Sequence, residues 1–273
     1  MFEIKLSQGA KPGKGGILPA IKVTEEIANI RGITAHEDSI SPNRHTDIHD
    51  VGDLLYMIQR IPDVTGNPVG CKFVLGSYEL LHDLCLAIHQ RAILSAPDFI
   101  TLDSADGATG ASPQGLIDYV GIPISESLPK LVDILVIYNL RDRIKVIASG
   151  KLITPAEVTW ALCAGVDFVN SARGCMLALG CIQSMKCHQN TCPTGIATHN
   201  PRLQNGLVVK NKMDRMYHYA NSIAHEVAIL CHSCAVDEPR QLQRKHARIV
   251  REDGLSVSLA EIFPDQEPLP EYE

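Results

Sequence analysis

The stretch IKVIASGKLITPAEVTWALCAGVDFVNSARG, residues 144–174, contains the unit on which the fold is built. Ile144–Ala148 is a short apolar run typical of a strand, and Asp167–Asn170 begins another. Between them, Thr154 is a favourable N-cap and Pro155 suits the first helical position, so the intervening residues predict a helix. A strand, a helix and a second strand in this order predict a parallel sheet with helices outside it.

The same alternation extends through the chain. Further strands are predicted at Glu3–Ser7, Val69–Leu75 and Asp98–Ser104. Helices are predicted at Thr24–Ile33, after Asp50, from Ser77 to about Ile93, at Ser127–Asp142 and at Lys212–Val236. Polar, glycine-rich residues follow each strand, as they do at the chemical face of a (β/α)8 barrel. Only five good strands are found and a barrel needs eight, so an open doubly wound sheet is the alternative.

Two consecutive strands end in small residues and lead into helices. The loops after the last two strands of a barrel commonly bind phosphate through backbone N–H groups. The candidate phosphate ligands are Ser149, Gly150, Ser171, Ala172 and Arg173, and the guanidinium group can also pair with the phosphate directly. The alternative is a pair of ordinary tight turns.

The stretch CIQSMKCHQNTCP carries three closely spaced cysteines, Cys181, Cys187 and Cys192. Iron–sulfur clusters are held by thiolates that converge from a short loop. The spacing is too wide for a CxxC redox pair and lacks the second ligand pair of a small zinc site. It therefore indicates a three-iron cluster, or a four-iron cluster with an outside ligand. Three structural thiols are the alternative.

Several other polar positions are candidates for ligand binding. Lys72 is a charge inside an apolar strand, and it either faces the barrel mouth or reaches solvent at a strand edge. The loop DSADGATGASP, residues 103–113, offers many backbone donors, although a flexible surface loop has the same composition. The loop QGAKPGKGG, residues 8–16, lacks the end of a P-loop but suits a dicarboxylate, and Arg44-His45 is a weaker anion candidate.

The composition sets limits on the function. The chain has 273 residues with a net charge of −6 and interspersed signs, which gives no footprint for nucleic acid or an anionic membrane. We find no apolar run of membrane-spanning length and no signal peptide. Nine cysteines without a secretion signal predict reduced thiols in a cytoplasm. Outside the cysteine loop, packing thiols are expected at Cys71, Cys85, Cys163, Cys231 and Cys234.

Several stretches together resemble the FMN-binding synthase domain of glutamate synthase, in the short form that lacks a glutaminase domain. They are IKLSQGAKPGKGG, ISPNRH, GCKFVLGS, SADGATGASP, ASGKLITP, NSARGCMLALGCIQSMKCHQNTCPTGIATHNPRLQ and AHEVAILCHSC. They occur in the family's order between residue 3 and about residue 262. The resemblance implies a (β/α)8 barrel that carries FMN and a 3Fe–4S cluster.

The resemblance also implies roles for particular residues. Cys181, Cys187 and Cys192 fall on the cluster ligands, and the five candidates after the last two strands fall on the FMN phosphate site. Lys72 falls near the flavin ring, and Gln8 and Lys11 fall near the 2-oxoglutarate site; these three are the expected catalytic residues. The implied reaction converts 2-oxoglutarate and ammonia, free or derived from glutamine, to glutamate. Electrons are expected from ferredoxin or a reductase subunit, and a separate glutaminase subunit is a further expected partner.

Two features depart from the family pattern. Ala108 stands where the family usually has glycine. Counting back from the phosphate-binding turns makes Glu3–Ser7 the fourth strand, so we expect the last five βα units of the barrel within residues 1–236, followed by a tail, residues 237–273. The absent barrel part would then be another partner. The alternatives are an iron–sulfur electron-transfer remnant without a complete flavin site, and, without the resemblance, a phosphate-binding barrel enzyme.

Overall fold

The structure is a computed structural model that describes residues 1–9, 11, 16–107, 110, 112–113 and 115–272. Its strands are β1 (Phe2–Lys5), β2 (Ile17–Leu18), β3 (Ser39–Ile40), β4 (Val69–Val74), β5 (Phe99–Asp103), β6 (Lys145–Ser149), β7 (Phe168–Asn170), β8 (Arg248–Val250) and β9 (Ser256–Ser258). Its α-helices are α1 (Glu25–Arg31), α2 (Val51–Thr65), α3 (Glu79–Arg91), α4 (Ile124–Ile137), α5 (Pro155–Cys163), α6 (Ala172–Leu179), α7 (Pro201–Gln204), α8 (Val209–Ser233) and α9 (Leu259–Ile262).

Five strands form one parallel sheet in the order β1-β4-β5-β6-β7. The predicted α/β class with a parallel sheet is therefore confirmed. The strand order advances in one direction, and among the described strands it shows no reversal of the kind that defines a doubly wound sheet. This order favours the barrel over the open-sheet alternative. Closure into an eight-stranded barrel stays a prediction.

The core lies between the sheet and the helices that follow its strands. The central strands β4 and β5 are almost wholly buried, as parallel strands covered on both faces should be. The edge strands are more open: Phe2 of β1 is 45% exposed and Phe168 of β7 is 53% exposed. These two edges therefore present apolar side chains to solvent in the described part of the chain.

The helix boundaries were predicted with mixed success. Thr154 does cap α5, in a capping box with Glu157, and Asp50 caps α2. The predicted cap at Ser77 is wrong, because α3 begins at Glu79 without a side-chain cap. The helix predicted at Ser127–Asp142 is α4, which begins three residues earlier and ends at Ile137.

Two contacts explain the position of α4. Asp106 lies 18 residues upstream, yet its carboxylate accepts a hydrogen bond from the Ile124 backbone N–H at 2.8 Å and so fixes the start. Asn139, in the left-handed conformation with φ 51°, directs the chain away after the last turn. The contact of Asp106 is a tertiary one, and the periodicity of the helix sequence does not predict it.

The segment after residue 236 is packed rather than extended. It carries the β8–β9 hairpin and α9, and Leu242, Ala247 and Leu259 belong to the core. Arg244 is buried and pairs with Asp133 of α4 at 2.6 Å. The acidic, Pro-rich composition did not predict this packing, and the division of the chain at residue 236 stays a prediction. None of the described helices is long and apolar enough to cross a membrane.

Candidate functional site

The carboxyl ends of the sheet strands surround a cavity of about 140 Å³. It is lined by residues from the carboxyl-terminal halves of β4–β7 and from the turns after β1, β5, β6 and β7, namely Gln8, Lys72, Asp103, Gly107, Ser149, Gly150, Lys151, Leu152, Asn170, Ser171, Ala172 and Arg173. The structure thus brings together Lys72, Gln8 and all five candidate phosphate ligands. Ligand pockets usually enclose about 300–1,000 Å³, so this cavity has room for only part of a cofactor-sized molecule.

The turn after β6 has a backbone that admits little variation. Gly150 has φ 140°, a conformation that side chains disfavour, and a Cβ there would collide with Ser104 Oγ. The following residues are held by Glu157, whose carboxylate accepts from the Ile153 and Thr154 N–H groups at 2.9 and 2.8 Å. The turn is therefore rigid before any ligand arrives.

Lys72 is fixed within the cavity by Asp103, an acid that was not among the predicted site residues. Its ammonium lies 3.3 Å from Asp103 Oδ2, and the two side chains are 18% and 7% exposed. Asp103 also accepts hydrogen bonds from the Gly9 N–H at 3.1 Å and the Ser104 N–H at 3.0 Å. The sequence feature that could have identified Asp103 is its position at the end of β5, which pairs with the strand that carries Lys72.

A second cavity, of about 300 Å³, adjoins the first through Gln8, which lines both. It is formed by the stretch after β1 and the ISPNRH stretch, with Lys5, Leu6, Ser7, Gln8, Lys11, Gly16, Ser41, Pro42, Asn43, Arg44 and His45 in its wall. Lys11 therefore lies here rather than in the first cavity. Among these described lining residues there are several cationic groups and no acid.

The electrostatics of this region suit an anion. Burial lowers the pKa of Lys5 and the neighbouring ammonium groups of Lys72 and Lys11 lower it further, while the carboxylates of Asp103 and Glu3 offset part of this effect. Because each like charge raises the free energy of the others, a bound carboxylate or phosphate would relieve the repulsion. The cations around the two cavities therefore suit an anion.

The three cysteines lie in one loop that begins at the end of α6. Burial raises the pKa of Cys187, and the nearby thiols of Cys192 and Cys181 raise it further. Burial also acts to raise the pKa of Cys192, but hydrogen bonds from the Thr194 hydroxyl and from backbone N–H groups outweigh it, and the net shift is downward. Cys187 therefore lies near both of the other thiols.

This loop also contacts other elements of the site. Lys22 donates to the carbonyl oxygen of Cys187 and, at 2.9 Å, to that of Ala197. Gly110, from the loop after β5, lies so close to Cys187 that a Cβ would be 2.5 Å from its Sγ. The loop that borders the first cavity therefore also touches the cysteine loop. Ala108 lies outside the described residues.

The three thiols of this loop are ligands of the chemical type that an iron–sulfur cluster uses. No three side chains of metal-ligating type converge on a single-ion site among the described residues. A multi-iron cluster holds its thiolate ligands farther apart than one ion does, and three thiols from one loop are the ligand type it uses. The assignment of Cys181, Cys187 and Cys192 as ligands stays a prediction.

Comparison with known proteins identifies the family. The conserved region in glutamate synthase matches residues 1–237. The chain belongs to the glutamate synthase family. The resemblance drawn from the sequence stretches is thereby confirmed.

Individual relatives agree with this family. The glutamate synthase large subunit-like protein YerD of Bacillus subtilis is 41% identical over 94% of this chain and 49% of its own length. The archaeal glutamate synthase [NADPH] of Methanocaldococcus jannaschii is 34% identical over 96% of this chain and 50% of its own length. The chain thus spans about half the length of these relatives. Among solved structures, a flavocytochrome b2 variant with pyruvate bound has a TM-score of 0.49 and 14% identity over 88% of this chain and 46% of its own, too low to support an argument.

Proposed function

We propose that the chain is the FMN-binding part of a glutamate synthase-type oxidoreductase, which forms glutamate from 2-oxoglutarate and ammonia. The observation that carries this proposal is the pair of adjoining cavities that share Gln8. One is bordered by rigid, N–H-rich turns suited to a phosphate, and the other is cationic and suited to a dicarboxylate. Membership of the glutamate synthase family supports the same assignment.

In this proposal the first cavity binds the phosphate end of FMN. Backbone N–H groups of the turns after β6 and β7 would hold the phosphate, with Arg173 as a charged partner; the proposed residues are Ser149, Gly150, Ser171, Ala172 and Arg173. The collision that a Cβ would cause at Gly150 shows how closely the turn after β6 packs on the loop after β5. FMN, when bound, supplies the hydride.

Lys72 would stabilise negative charge on the flavin ring. Its ammonium is held by Asp103, so its position does not depend on the ligand. A preorganised charge in a partly dry site stabilises developing charge without a reorganisation cost. Asp103 is then a positioning residue, since it acts through Lys72 and is itself anchored by the Gly9 and Ser104 N–H groups.

The second cavity would bind 2-oxoglutarate. Lys11 and Arg44 line its wall, and both are cations of the type that pairs with carboxylates. Gln8 lies at the junction of the two cavities, where the keto carbon would have to meet the flavin. Gln8 therefore orients the substrate between its carboxylate contacts and the reacting atom. Ammonia would be free or supplied from glutamine by a separate glutaminase subunit.

Cys181, Cys187 and Cys192 would hold a 3Fe–4S cluster, which supplies single electrons. The contact between Gly110 and Cys187 places this loop directly against the loop that borders the flavin cavity. An electron donor such as ferredoxin or a reductase subunit would then approach at the cysteine loop. Free thiols at all nine cysteines suit a reducing cytoplasm, which we propose as the location.

The exposed edges of β1 and β7 indicate how the site would be completed. In a closed barrel these two strands would pair with the three remaining βα units, from the same polypeptide or from a partner. The cavity beside Lys72 and Arg173 would then gain its missing wall. The proposal therefore predicts that flavin binding depends on what pairs with these edges.

The experiment is a cofactor analysis followed by a turnover assay on anaerobically purified full-length chain, alone and with its remaining barrel segment. Flavin released by heat is identified by chromatography, and iron is measured in parallel. Glutamate formation is then followed with 2-oxoglutarate, ammonium and a reduced viologen dye. We expect FMN, iron and glutamate, and we expect Lys72→Met to abolish turnover.

The control is Lys145→Met, because Lys145 lies at the opposite end of β6 and its side chain is 52% exposed. Turnover equal to wild type is expected of this control. Iron without flavin in every preparation would support the alternative, an iron–sulfur electron-transfer module. Folded protein with neither cofactor would contradict both functions.

A further inference from the structure

Tyr219, on α8, connects the two turns that border the proposed phosphate end of the cavity. Its hydroxyl donates to the Ile153 carbonyl oxygen at 2.7 Å and lies 2.8 Å from Ser171 Oγ. Ile153 belongs to the turn after β6, and Ser171 to the turn after β7. One hydroxyl group from a distant helix therefore links both turns.

The chain makes room for this hydroxyl at one position. An ideal Cβ on Gly174 would collide with the Tyr219 hydroxyl and come within 2.6 Å of Ser171 Oγ. Gly174 is the last residue of the NSARG stretch and lies in the first turn of α6. Its lack of a side chain is therefore explained by the approach of Tyr219 and not by an unusual backbone angle.

The hydrogen-bond directions follow from the number of protons. A carbonyl oxygen only accepts, so the Tyr219 proton points to Ile153. The bond between the two hydroxyls then uses the Ser171 proton, with Tyr219 as acceptor. The one proton of the Ser171 hydroxyl is thus engaged by Tyr219, and the hydroxyl has no second proton to donate to a phosphate.

The same bond changes how α6 begins. Serine is a common N-cap because its oxygen accepts from the first helical N–H groups, which have no acceptor within the helix. Ser171 occupies the N-cap position of α6, yet its side chain makes no capping bond. With Ser171 turned to Tyr219, a phosphate oxygen can take the place that the serine oxygen would otherwise fill.

We propose that Tyr219 is a positioning residue for the phosphate group of FMN. It holds the turns after β6 and β7 at a fixed separation and keeps the Ser171 side chain out of the cap position at α6. This inference rests on the proposed function. Tyr219 is expected to affect only the phosphate end of the flavin. The reason is that, among the described residues, its hydroxyl bonds to neither Lys72 nor Asp103, the residues at the flavin-ring end.

The test compares two flavins, since riboflavin has the ring system of FMN but no phosphate. Dissociation constants are measured by flavin fluorescence quenching for wild type and Tyr219→Phe, in the chain as prepared with its remaining barrel segment. We expect Tyr219→Phe to weaken FMN binding about three- to tenfold, the size of one net hydrogen bond, and to leave riboflavin binding unchanged. Tyr217→Phe is the matched control, because Tyr217 lies two residues earlier, is 66% exposed, and makes no hydroxyl hydrogen bond among the described residues.

Each other outcome decides against the inference. Equal FMN affinity in Tyr219→Phe and wild type overturns it while leaving the proposed function in place. A parallel loss of FMN and riboflavin affinity overturns it as well, because that pattern reports general damage to the cavity. Wild-type protein that binds neither flavin overturns both the inference and the proposed function.

Ser171→Ala gives a second route if Tyr219→Phe does not fold. It breaks the link between the two turns from the other side but leaves no serine oxygen to enter the cap position, so we expect an FMN-selective loss no larger than that of Tyr219→Phe. Where Tyr219→Phe does fold, we expect no further loss in the double variant Tyr219→Phe with Ser171→Ala, because both changes break the same link between Tyr219 and Ser171. A further loss would mean that the Ser171 hydroxyl contacts the phosphate itself, and would overturn the assignment.

Discussion

We predict that removing Asp103 from its ion pair with Lys72 destabilises the protein more than removing Lys72 does. When Lys72 is removed, the Asp103 carboxylate keeps two backbone donors, the Gly9 and Ser104 N–H groups. When the acid is neutralised, the ammonium keeps no other acid within salt-bridge distance in the described residues, and it still faces Lys5. The two single changes therefore leave very different uncompensated charges.

The expected magnitudes follow from burial. Removing one partner of a buried pair costs about 3–5 kcal/mol when the other charge is left uncompensated, which is the situation of Lys72 in Asp103→Asn. In Lys72→Met the carboxylate retains two hydrogen bonds, each worth about 1.5–3 kcal/mol for a charged acceptor. We therefore expect Lys72→Met to cost only about 1–2 kcal/mol.

Urea unfolding followed by far-UV circular dichroism measures both losses, provided that the slope with denaturant is unchanged. Lys145→Met serves as the control, since its contact with Asp167 is 3.8 Å long and half exposed, and we expect a loss below about 1 kcal/mol. The reasoning is refuted if Lys72→Met destabilises the protein as much as Asp103→Asn, or more.

Three further predictions concern stability, thiol reactivity and iron. Arg244→Met should cost about 3–5 kcal/mol in the same urea assay, because it leaves the buried carboxylate of Asp133 unpaired; a loss below about 1 kcal/mol would contradict the buried pair. Burial raises the pKa of the thiols of Cys71, Cys85 and Cys163 to about 12. Iodoacetamide at pH 8 should therefore leave them unlabelled in native protein and label them only in urea, as measured by peptide mass spectrometry. Labelling of these at the rate of the partly exposed Cys234 would argue against their burial. Cys187→Ser should remove the iron of anaerobically prepared protein, whereas Cys175→Ser should not; unchanged iron in the first variant would refute the ligand assignment.

The parallel sheet was predictable because its strands are short, apolar and bounded by glycine-rich turns. The strand predicted at Asp98–Ser104 is β5, Phe99–Asp103, and all five predicted sheet strands are present. The failures concern the starts of two helices. The start of α4 depends on Asp106, and Ser77 does not cap although its residue type favours it. The contact of Asp106 leaves no trace in the periodicity of the sequence.

The candidate site was predictable to a similar degree and for the same reason. Residues at strand ends meet because parallel strands end at one edge, so Lys72 and the turns after β6 and β7 could be grouped from the sequence. Asp103 could not be assigned to Lys72, since that pairing depends on the register of β4 against β5. Tyr219 gave no signal at all, because it reaches the site from a helix that begins 39 residues after β7 ends.

The amino ends and the carboxyl ends of the sheet strands differ in how their polar groups are satisfied, and this difference supports the proposed position of the site. At the amino ends of the strands, Asp98 precedes β5 and accepts from the Val69 N–H, and Asp167 precedes β7 and accepts from the Val146 N–H. Each of these acids is also paired with an arginine, at 3.0 and 2.8 Å. At the carboxyl ends, cations and backbone donors surround two open cavities. The first set of strand ends is satisfied within the chain and stabilises the sheet. At the second set Asp103 pairs with Lys72. An anionic ligand of the kind proposed would gain further electrostatic stabilisation from the cations and backbone donors around the two cavities.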